Sequence, residues 1–344
     1  MDGRIGPMRR HIPTPCGAAD NVASAVSNSL FVIKFAPQKF IMANKKILAH
    51  VVGIITVAVW GVTFVNTRFA VSSGLHPGEL FLLRFAIAYV CIWALELFRE
   101  RGRVRLFADS LKDELWFVLL GISGGSLYFC SENEAVGLTH VNNVSFIVCT
   151  APLLTVVLGR MFTKSVSLTG RLIAGSVIAL VGVGVVIFNG QFVLHLSPAG
   201  DLLALVAAIC WAVYSLLIKR VSDGRYGAVF LTRKVFAYGI LTVIPYFLFN
   251  PWHADAAMLS QPSVWGNLLY LGFVASFVCF VVWSWVIKEI GALEATNYVY
   301  LNPVTTVIAS AIALDEPMTV LALVGSALIL LGVYLANTAK TGTE

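Results

Sequence analysis

Charge is what this chain has least of. Only 12% of its 344 residues are Asp, Glu, Lys or Arg, against roughly 25% in ordinary soluble domains. With 58% hydrophobic residues and a mean hydropathy of +0.84, that scarcity excludes a soluble globular fold and points to an all-α polytopic membrane protein. Catalytic signatures are missing too. There is no HExxH, no mid-span pair of aspartates and no nucleophile with its base, so the chain does not read as an intramembrane enzyme. The lack of a GxxxxGK loop argues against direct ATP coupling within this polypeptide. The six cysteines form no CxxC pair and no Cys/His cluster; Cys91, Cys130, Cys149, Cys210 and Cys279 fall inside hydrophobic segments and Cys16 lies outside. Packing is therefore their expected role, and no disulfide framework, metal site or cofactor is implied. No polar stretch is long enough for a separate soluble domain, which weighs against a receptor or scaffold. The net charge of +6 is no nucleic-acid signal, because the Lys and Arg sit in short loops at helix ends.

A crossing needs about 20 apolar residues, and the chain offers ten such spans. The first five are Ile47–Thr67, Gly78–Phe98, Leu115–Ala135, Val141–Gly159 and Leu172–Phe188. The second five are Leu202–Ile218, Ala228–Phe249, Gly266–Ile287, Ala292–Leu314 and Met318–Asn337. The chain also matches itself at a shift of 151 residues: Trp60 with Trp211, Gly121 with Gly272, Pro152 with Pro303 and Thr155 with Thr306. In the last helix of each half the shift is 150, pairing Gly175-Ser176 with Gly325-Ser326 and Gly182 with Gly332. Five crossings per copy is an odd number, so the second copy must sit upside down. The expected architecture is ten transmembrane helices as two inverted five-helix repeats, residues 42–190 and 198–338, a transporter arrangement.

Orientation follows from the basic residues. Seven of them precede the first span, and Arg99, Arg101, Arg103, Arg105 and Lys112 lie in the next loop on that side. Loops of the opposite side contribute only Arg68. Both termini, including the short tail 339–344, are therefore expected in the cytoplasm, with the chain in the inner (plasma) membrane. Residues 1–41 carry Pro13, Pro15 and Pro37 with scattered basic residues and read as a disordered segment. Met42-Ala43-Asn44-Lys45-Lys46 reads as an alternative start, and Lys34 interrupts the one run that could serve as a signal peptide.

Trp60-Gly61, Arg84-Phe85, Thr150-Ala151-Pro152-Leu153, Asn302-Pro303 and Asp315-Glu316-Pro317, taken with the repeat, resemble the drug/metabolite transporter superfamily, specifically its ten-helix EamA-type permeases. The resemblance covers about residues 42–337. It implies alternating-access transport of a small metabolite, an amino acid or similar weakly charged solute, in the direction of efflux. Its motifs are weak for substrate, and a nucleotide-sugar or other metabolite exchanger or importer is the alternative. One departure is that the first copy has Phe162-Thr163-Lys164 in place of the Asp-Glu-Pro turn. Protons are a candidate coupling ion, and the oligomeric state is open between monomer and homodimer.

A rise of about 1.5 Å per residue across a core of about 30 Å puts Trp60, Trp211, Pro152 and Pro303 near mid-depth. The two prolines remove backbone donors and kink their helices, leaving carbonyls to face a cavity. Trp60, Thr63, Tyr128, Trp211, Tyr214, Tyr298 and Asn302 would give that cavity aromatic surface and a few hydrogen bonds, unless the tryptophans are packing anchors. Charges within spans cost several kcal/mol unless paired or hydrated. Arg84 and Glu132 fall at similar depth near the outer mouth and are expected to close it as a pair; Arg233 or Lys234 with Glu294 would close the inner one. The competing reading has Arg233 and Lys234 snorkelling to lipid phosphates. His140, Asn142 and Asn143 read as turn caps, Gly121, Gly124 and Gly125 as close packing sites, and Trp283 and Trp285 as belt residues.

Overall fold

The computed structural model describes residues 45–63, 66–67, 69–99, 104–139, 141–162, 169–188, 197–221, 225–305, 308 and 319–338. Among these residues the regular structure is entirely helical. Nine helices among the described residues are long and apolar enough to cross a membrane: α1 Lys45–Thr63, α2 Pro77–Arg99, α3 Leu111–Leu138, α4 Val144–Phe162, α5 Gly170–Ile187, α6 Pro198–Val221, α7 Ala228–Phe249, α8 Val264–Ile290 and α10 Val320–Asn337. Between the last two lies the shorter α9, Ala292–Asn297, which tightens into a 3₁₀ turn over Tyr298–Leu301. The outer part of the expected ninth span lies outside the described residues, as do Asp315-Glu316-Pro317, Arg68, His140, residues 1–41 and residues 339–344. Ala49–Glu344 forms one compact unit; of the preceding unit, Met1–Leu48, only residues 45–48 of α1 are described.

Polar first turns explain why some helices begin before their apolar runs. The Ser110 side chain accepts from the Asp113 amide at 3.1 Å, capping α3, so the helix starts four residues ahead of Leu115 with Lys112, Asp113 and Glu114 in its first turns. Glu79 in the first turn of α2 is fully buried and accepts from the amides of His76 (3.0 Å), Ala254 (2.9 Å) and His253. One carboxylate thereby satisfies donors from the loop before α2 and from the connection between α7 and α8.

Without water to drive apolar faces together, membrane helices associate by backbone approach at small residues. The closest such pair here is α5 with α10. A Cβ on Gly175 would lie 2.5 Å from the Ala336 amide, and one on Gly182 would lie 2.7 Å from the Gly325 carbonyl. Reciprocally, a Cβ on Gly332 would lie 2.4 Å from the Ala179 amide. The contact runs from Gly175–Gly332 to Gly182–Gly325, so the two helices are antiparallel. A second matched contact crosses the halves: Gly121 of α3 rests on Tyr238 and Gly239 of α7, while Gly272 of α8 rests on Ile87 and the Arg84 carbonyl of α2. Ile87 and Tyr238 are themselves 151 residues apart.

Immediately after each of these glycines, or around it, the helix widens. Ile122–Ser126 in α3 and Tyr270–Val278 in α8 are π-helical, and a shift of 151 puts the first inside the second. Gly125 leaves helical geometry there, at φ −131° and ψ −106°. The fourth span is interrupted by a turn at Cys149–Thr150, just ahead of Pro152, and the 3₁₀ turn Tyr298–Leu301 stands in the same place ahead of Pro303.

The glycine contacts predict a contrast within one residue type. Gly332→Ala forces backbones apart and should lower the Tm of purified protein by several degrees, overpacking costing about 1–3 kcal/mol. Gly266→Ala, with nothing within 4 Å of the added methyl, should leave Tm unchanged or raise it. Equal effects would mean that α5 and α10 do not pack through Gly332.

Candidate functional site

A cavity of about 50 Å³ lies between the two halves. Its wall includes three residue pairs related by the 151-residue shift: Trp60 with Trp211, Phe129 with Phe280 and Val148 with Val299. The two indoles meet edge to face with ring centroids 5.2 Å apart, the geometry that aligns a positive ring edge with a negative ring face. Phe280 lies 5.9 Å from Trp60, and Tyr128 lies 5.3 Å from Trp211.

The polar groups of the wall do not follow the repeat. Thr63, Thr67, Arg84, Tyr128, Glu132 and Asn302 line the cavity, and their counterparts at 151 residues are Tyr214, Ile218, Val235, Cys279, Trp283 and Ala151. Arg84 is buried; its Nε donates to Ser276 Oγ at 3.0 Å, and its guanidinium carbon stands 4.4 Å from the centroid of the Phe129 ring. Glu132, also buried, accepts from the Tyr128 hydroxyl at 3.0 Å. Among the described residues Arg84 and Glu132 form no direct ion pair. The outer pair expected from sequence is therefore two separate charges facing one cavity.

Five of the seven residues expected to contact a solute are in the wall: Trp60, Thr63, Tyr128, Trp211 and Asn302. Two are not. Tyr214 is fully buried behind it, its ring pressed on Gly124 and 5.3 Å from Trp211. Tyr298 turns away, with its hydroxyl 2.6 Å from His50 Nδ1, because the chain tightens to 3₁₀ geometry at this residue and changes the phase of its side chains. Phe129, Phe280, Val148, Val299, Val136 and Thr67 were missed; the first four carried a usable signal in their 151-residue matches. Trp283, read as a belt residue, is fully buried with its ring 5.0 Å from Trp60.

The two matched tryptophans are bonded differently. Trp60 Nε1 donates to the Ala275 carbonyl at 2.9 Å, inside the π-helical stretch of α8, where the widened turn exposes backbone acceptors. Residue 124 matches Ala275, but there Tyr214 covers the backbone. The Trp211 indole N–H has no acceptor among the described residues.

The inner pairing with Glu294 is corrected. Arg233 forms its ion pair with Glu96, near the end of α2, and donates to the Arg105 carbonyl. Lys234 pairs with Glu114 of α3 at 2.6 Å, and the same carboxylate accepts from the Tyr238 hydroxyl and, at 2.6 Å, from the Ala108 amide. Glu96 and Glu114 sit in the last and first turns of apolar helices, so their pull on α7 was not visible in the linear order. Nearby, the Tyr226 hydroxyl donates to Asp113 at 2.9 Å, and burial pushes this phenol up from its ordinary pKa, keeping it a donor at neutral pH. The network joins α2, α3, α7 and the segment before α3.

A multi-span helical protein with a small central cavity built from matched halves and lined by unpaired charge is a membrane transporter in class. The chain belongs to the EamA-like transporter family, whose model matches it twice, at residues 47–188 and 198–338. Similar proteins include an uncharacterized transporter of Archaeoglobus fulgidus, 27% identical over 85% of this chain and 97% of that one. A probable amino-acid metabolite efflux pump of Escherichia coli is 27% identical over 83% of this chain and 93% of its own, and a probable terminal-alkyne amino-acid exporter of Streptantibioticus cattleyicolor is 26% identical over 84% and 93%. A protein of known crystal structure shares the fold, with a TM-score of 0.67 and 21% identity over 84% of this chain and 98% of that chain. Transporters of this family are not enzymes.

Neutralising one member of the inner network, Lys234→Gln or Glu114→Gln, leaves a buried partner charge and should cost on the order of 3 kcal/mol, read as a fall in Tm. The double variant should recover at least half of that loss. No recovery would mean that the two charges do not stabilise each other.

Proposed function

We propose that this protein exports a small zwitterion, an amino acid with an apolar side chain, across the cytoplasmic membrane by alternating access. The observation that carries this reading is the pair Arg84 and Glu132: opposite charges, both buried, both facing the same cavity and not paired with each other. Each is expensive to hold inside a membrane unless something answers it. A zwitterion answers both, its carboxylate on the Arg84 guanidinium and its ammonium on Glu132 and the Tyr128 hydroxyl. Trp60, Trp211, Phe129 and Phe280 supply the apolar surface for a side chain, and the Trp211 N–H offers a further donor. The named exporters of amino-acid compounds among the relatives favour the same class. A nucleotide sugar would bring two phosphates to a cavity in which Arg84 is the one basic residue among the described residues of the wall.

The topology that goes with this function has ten spans in two inverted repeats, residues 42–190 and 198–338, with both termini cytoplasmic. The antiparallel glycine contact of α5 with α10 supports the inversion, and the distribution of Lys and Arg supports the orientation. On that topology the charge network of Arg233, Glu96, Lys234 and Glu114 lies at the inner end, where it seals the cytoplasmic side. The cavity reaches outward from the tryptophans toward Thr67 and Val136. Room for only a few waters makes this a contracted conformation; a solute enters when the helices around the cavity part, with the π turns and the breaks before Pro152 and Pro303 as the joints.

Counterflow in proteoliposomes tests the zwitterion directly. A radiolabelled apolar amino acid should exchange, whereas its N-acetyl form, lacking the ammonium, and its methyl ester, lacking the carboxylate, should compete at least about tenfold less well. Arg84→Gln should raise the half-saturation concentration about 10-fold to 100-fold, the value of a charge-assisted hydrogen bond of about 1.5–3 kcal/mol, and should narrow the gap between acid and ester. Analogues that compete equally with the parent amino acid would sink the assignment. Within the wall, Trp211→Ala should weaken the solute about tenfold, roughly 1.4 kcal/mol, while Tyr298→Phe stays within twofold; an equal loss in both would put the site elsewhere.

A further inference from the structure

We propose that the pocket between the first turns of α3 and the last turn of α6 holds the phosphate of an anionic phospholipid. The pocket measures about 330 Å³ and is lined by Lys112, Asp113, Trp116, Arg220 and Arg225, among others; that volume falls within the range of about 300–1,000 Å³ typical of small-ligand sites. Among the described residues it shares no wall residue with the central cavity.

Among the described residues its charges are not balanced internally. Asp113 is committed: Arg225 Nη1 donates to it at 2.8 Å and the Tyr226 hydroxyl at 2.9 Å. That leaves two cations over. Lys112 and Arg220 are exposed, and among the described residues neither has a carboxylate partner. Arg220 is nonetheless held beside Trp116, its guanidinium carbon 4.8 Å from the centroid of the ring, a cation–π contact that leaves it without a carboxylate. The positive end of the α3 dipole adds to the same field.

The position selects a lipid over a free anion. Helix α3 begins and α6 ends at this level, which is the boundary of the apolar layer, and half-buried Trp116 occupies the depth that tryptophans favour at an interface. Beside Lys112 and Trp116, Leu111, Leu115 and Leu119 repeat every four residues along one side of α3, with exposures of 89%, 61% and 38%. Residues four apart share a helix face, so a stripe open to acyl chains runs from the pocket into the membrane. A headgroup phosphate between Lys112 and Arg220 would have its chain lying on those leucines, whereas free phosphate would have no use for them. Basic pockets between helix ends on the positively charged side of a membrane protein are suited to this recognition. The inference does not depend on which solute the central cavity carries.

The test is lipid retention by the purified full-length protein. Wild-type protein in a mild detergent is titrated with phosphatidylglycerol, phosphatidylcholine or inorganic phosphate, and bound lipid is read by native mass spectrometry alongside Tm. Phosphatidylglycerol should bind and raise Tm, and phosphatidylcholine should do neither at the same concentration. Lys112→Gln and Arg220→Gln should each weaken retention about fivefold, in keeping with the effect of one basic residue at a membrane surface, with transport in counterflow persisting. Equal retention of the two lipids by the wild type would overturn the proposal without recourse to any variant. So would protection by inorganic phosphate equal to that by phosphatidylglycerol, which would mark a free-anion site, or full retention by a folded double variant.

Discussion

Close approach of helix backbones at glycine is the constraint on which this architecture rests. Lipid solvates an apolar side chain as well as protein does, so helices here are joined by dispersion at short range, and only residues without a side chain permit that range. Gly175, Gly182, Gly325 and Gly332 bring α5 and α10 together along an antiparallel seam. Gly121 and Gly272 then couple the third helix of one half to the second helix of the other. Because these last contacts cross between halves, neither half can complete its own packing. The surfaces left over, rich in aromatic rings, meet at the centre and become the cavity wall.

That origin explains why the wall obeys the repeat in its apolar parts and departs from it in its polar ones. Packing contacts inherited by both halves are constrained on both sides of the axis, so Trp60 and Trp211, Phe129 and Phe280, and Val148 and Val299 persist as pairs. Recognition of an asymmetric solute cannot be symmetric. Arg84 faces the cavity where the other half has Val235, and Glu132 where the other half has Trp283. Differences between the halves at matched positions therefore point to chemistry, and agreements to scaffold.

The same distinction governs how much was legible beforehand. Hydropathy and the 151-residue match were enough for nine apolar helices among the described residues and for bringing Trp60 and Trp211 into one cavity wall, since both depend on spacing along one chain. Phe129 and Phe280 carried the same signal but stood among 22 phenylalanines, most of which simply pack. Tyr298 and Tyr214 were misplaced for a geometric reason: their direction depends on local helix winding and on which glycine lies opposite. The partners of Arg233 and Lys234 were missed because Glu96 ends one apolar span and Glu114 lies just ahead of another, both far from α7 in the chain, and only the fold brings those ends to α7. No residue type announces the π turns of α3 and α8, although both contain the matched glycines or follow them directly.

Irregular backbone in a membrane is tolerated only where protein or a cavity covers it; here the π turns of α3 and α8, the turn in α4 and the 3₁₀ turn after α9 lie in elements that line the cavity, whereas the turn at Ile244–Pro245 interrupts α7 away from it. The α8 widening is stabilised by an indole, Trp60 donating to Ala275; the α3 widening is covered by the Tyr214 ring instead. These two arrangements differ in what opening them requires. Parting α1 from α8 breaks a hydrogen bond in a dry environment and leaves two groups unsatisfied, whereas sliding Tyr214 off Gly124 loses only dispersion contacts. A solute able to hydrogen-bond Trp60 or the Ala275 carbonyl would compensate the first movement and not the second. On the proposed transport cycle, opening on the side of Tyr214 would therefore cost less than parting at Trp60, and the two halves, alike in their packing, would have unequal parts in it.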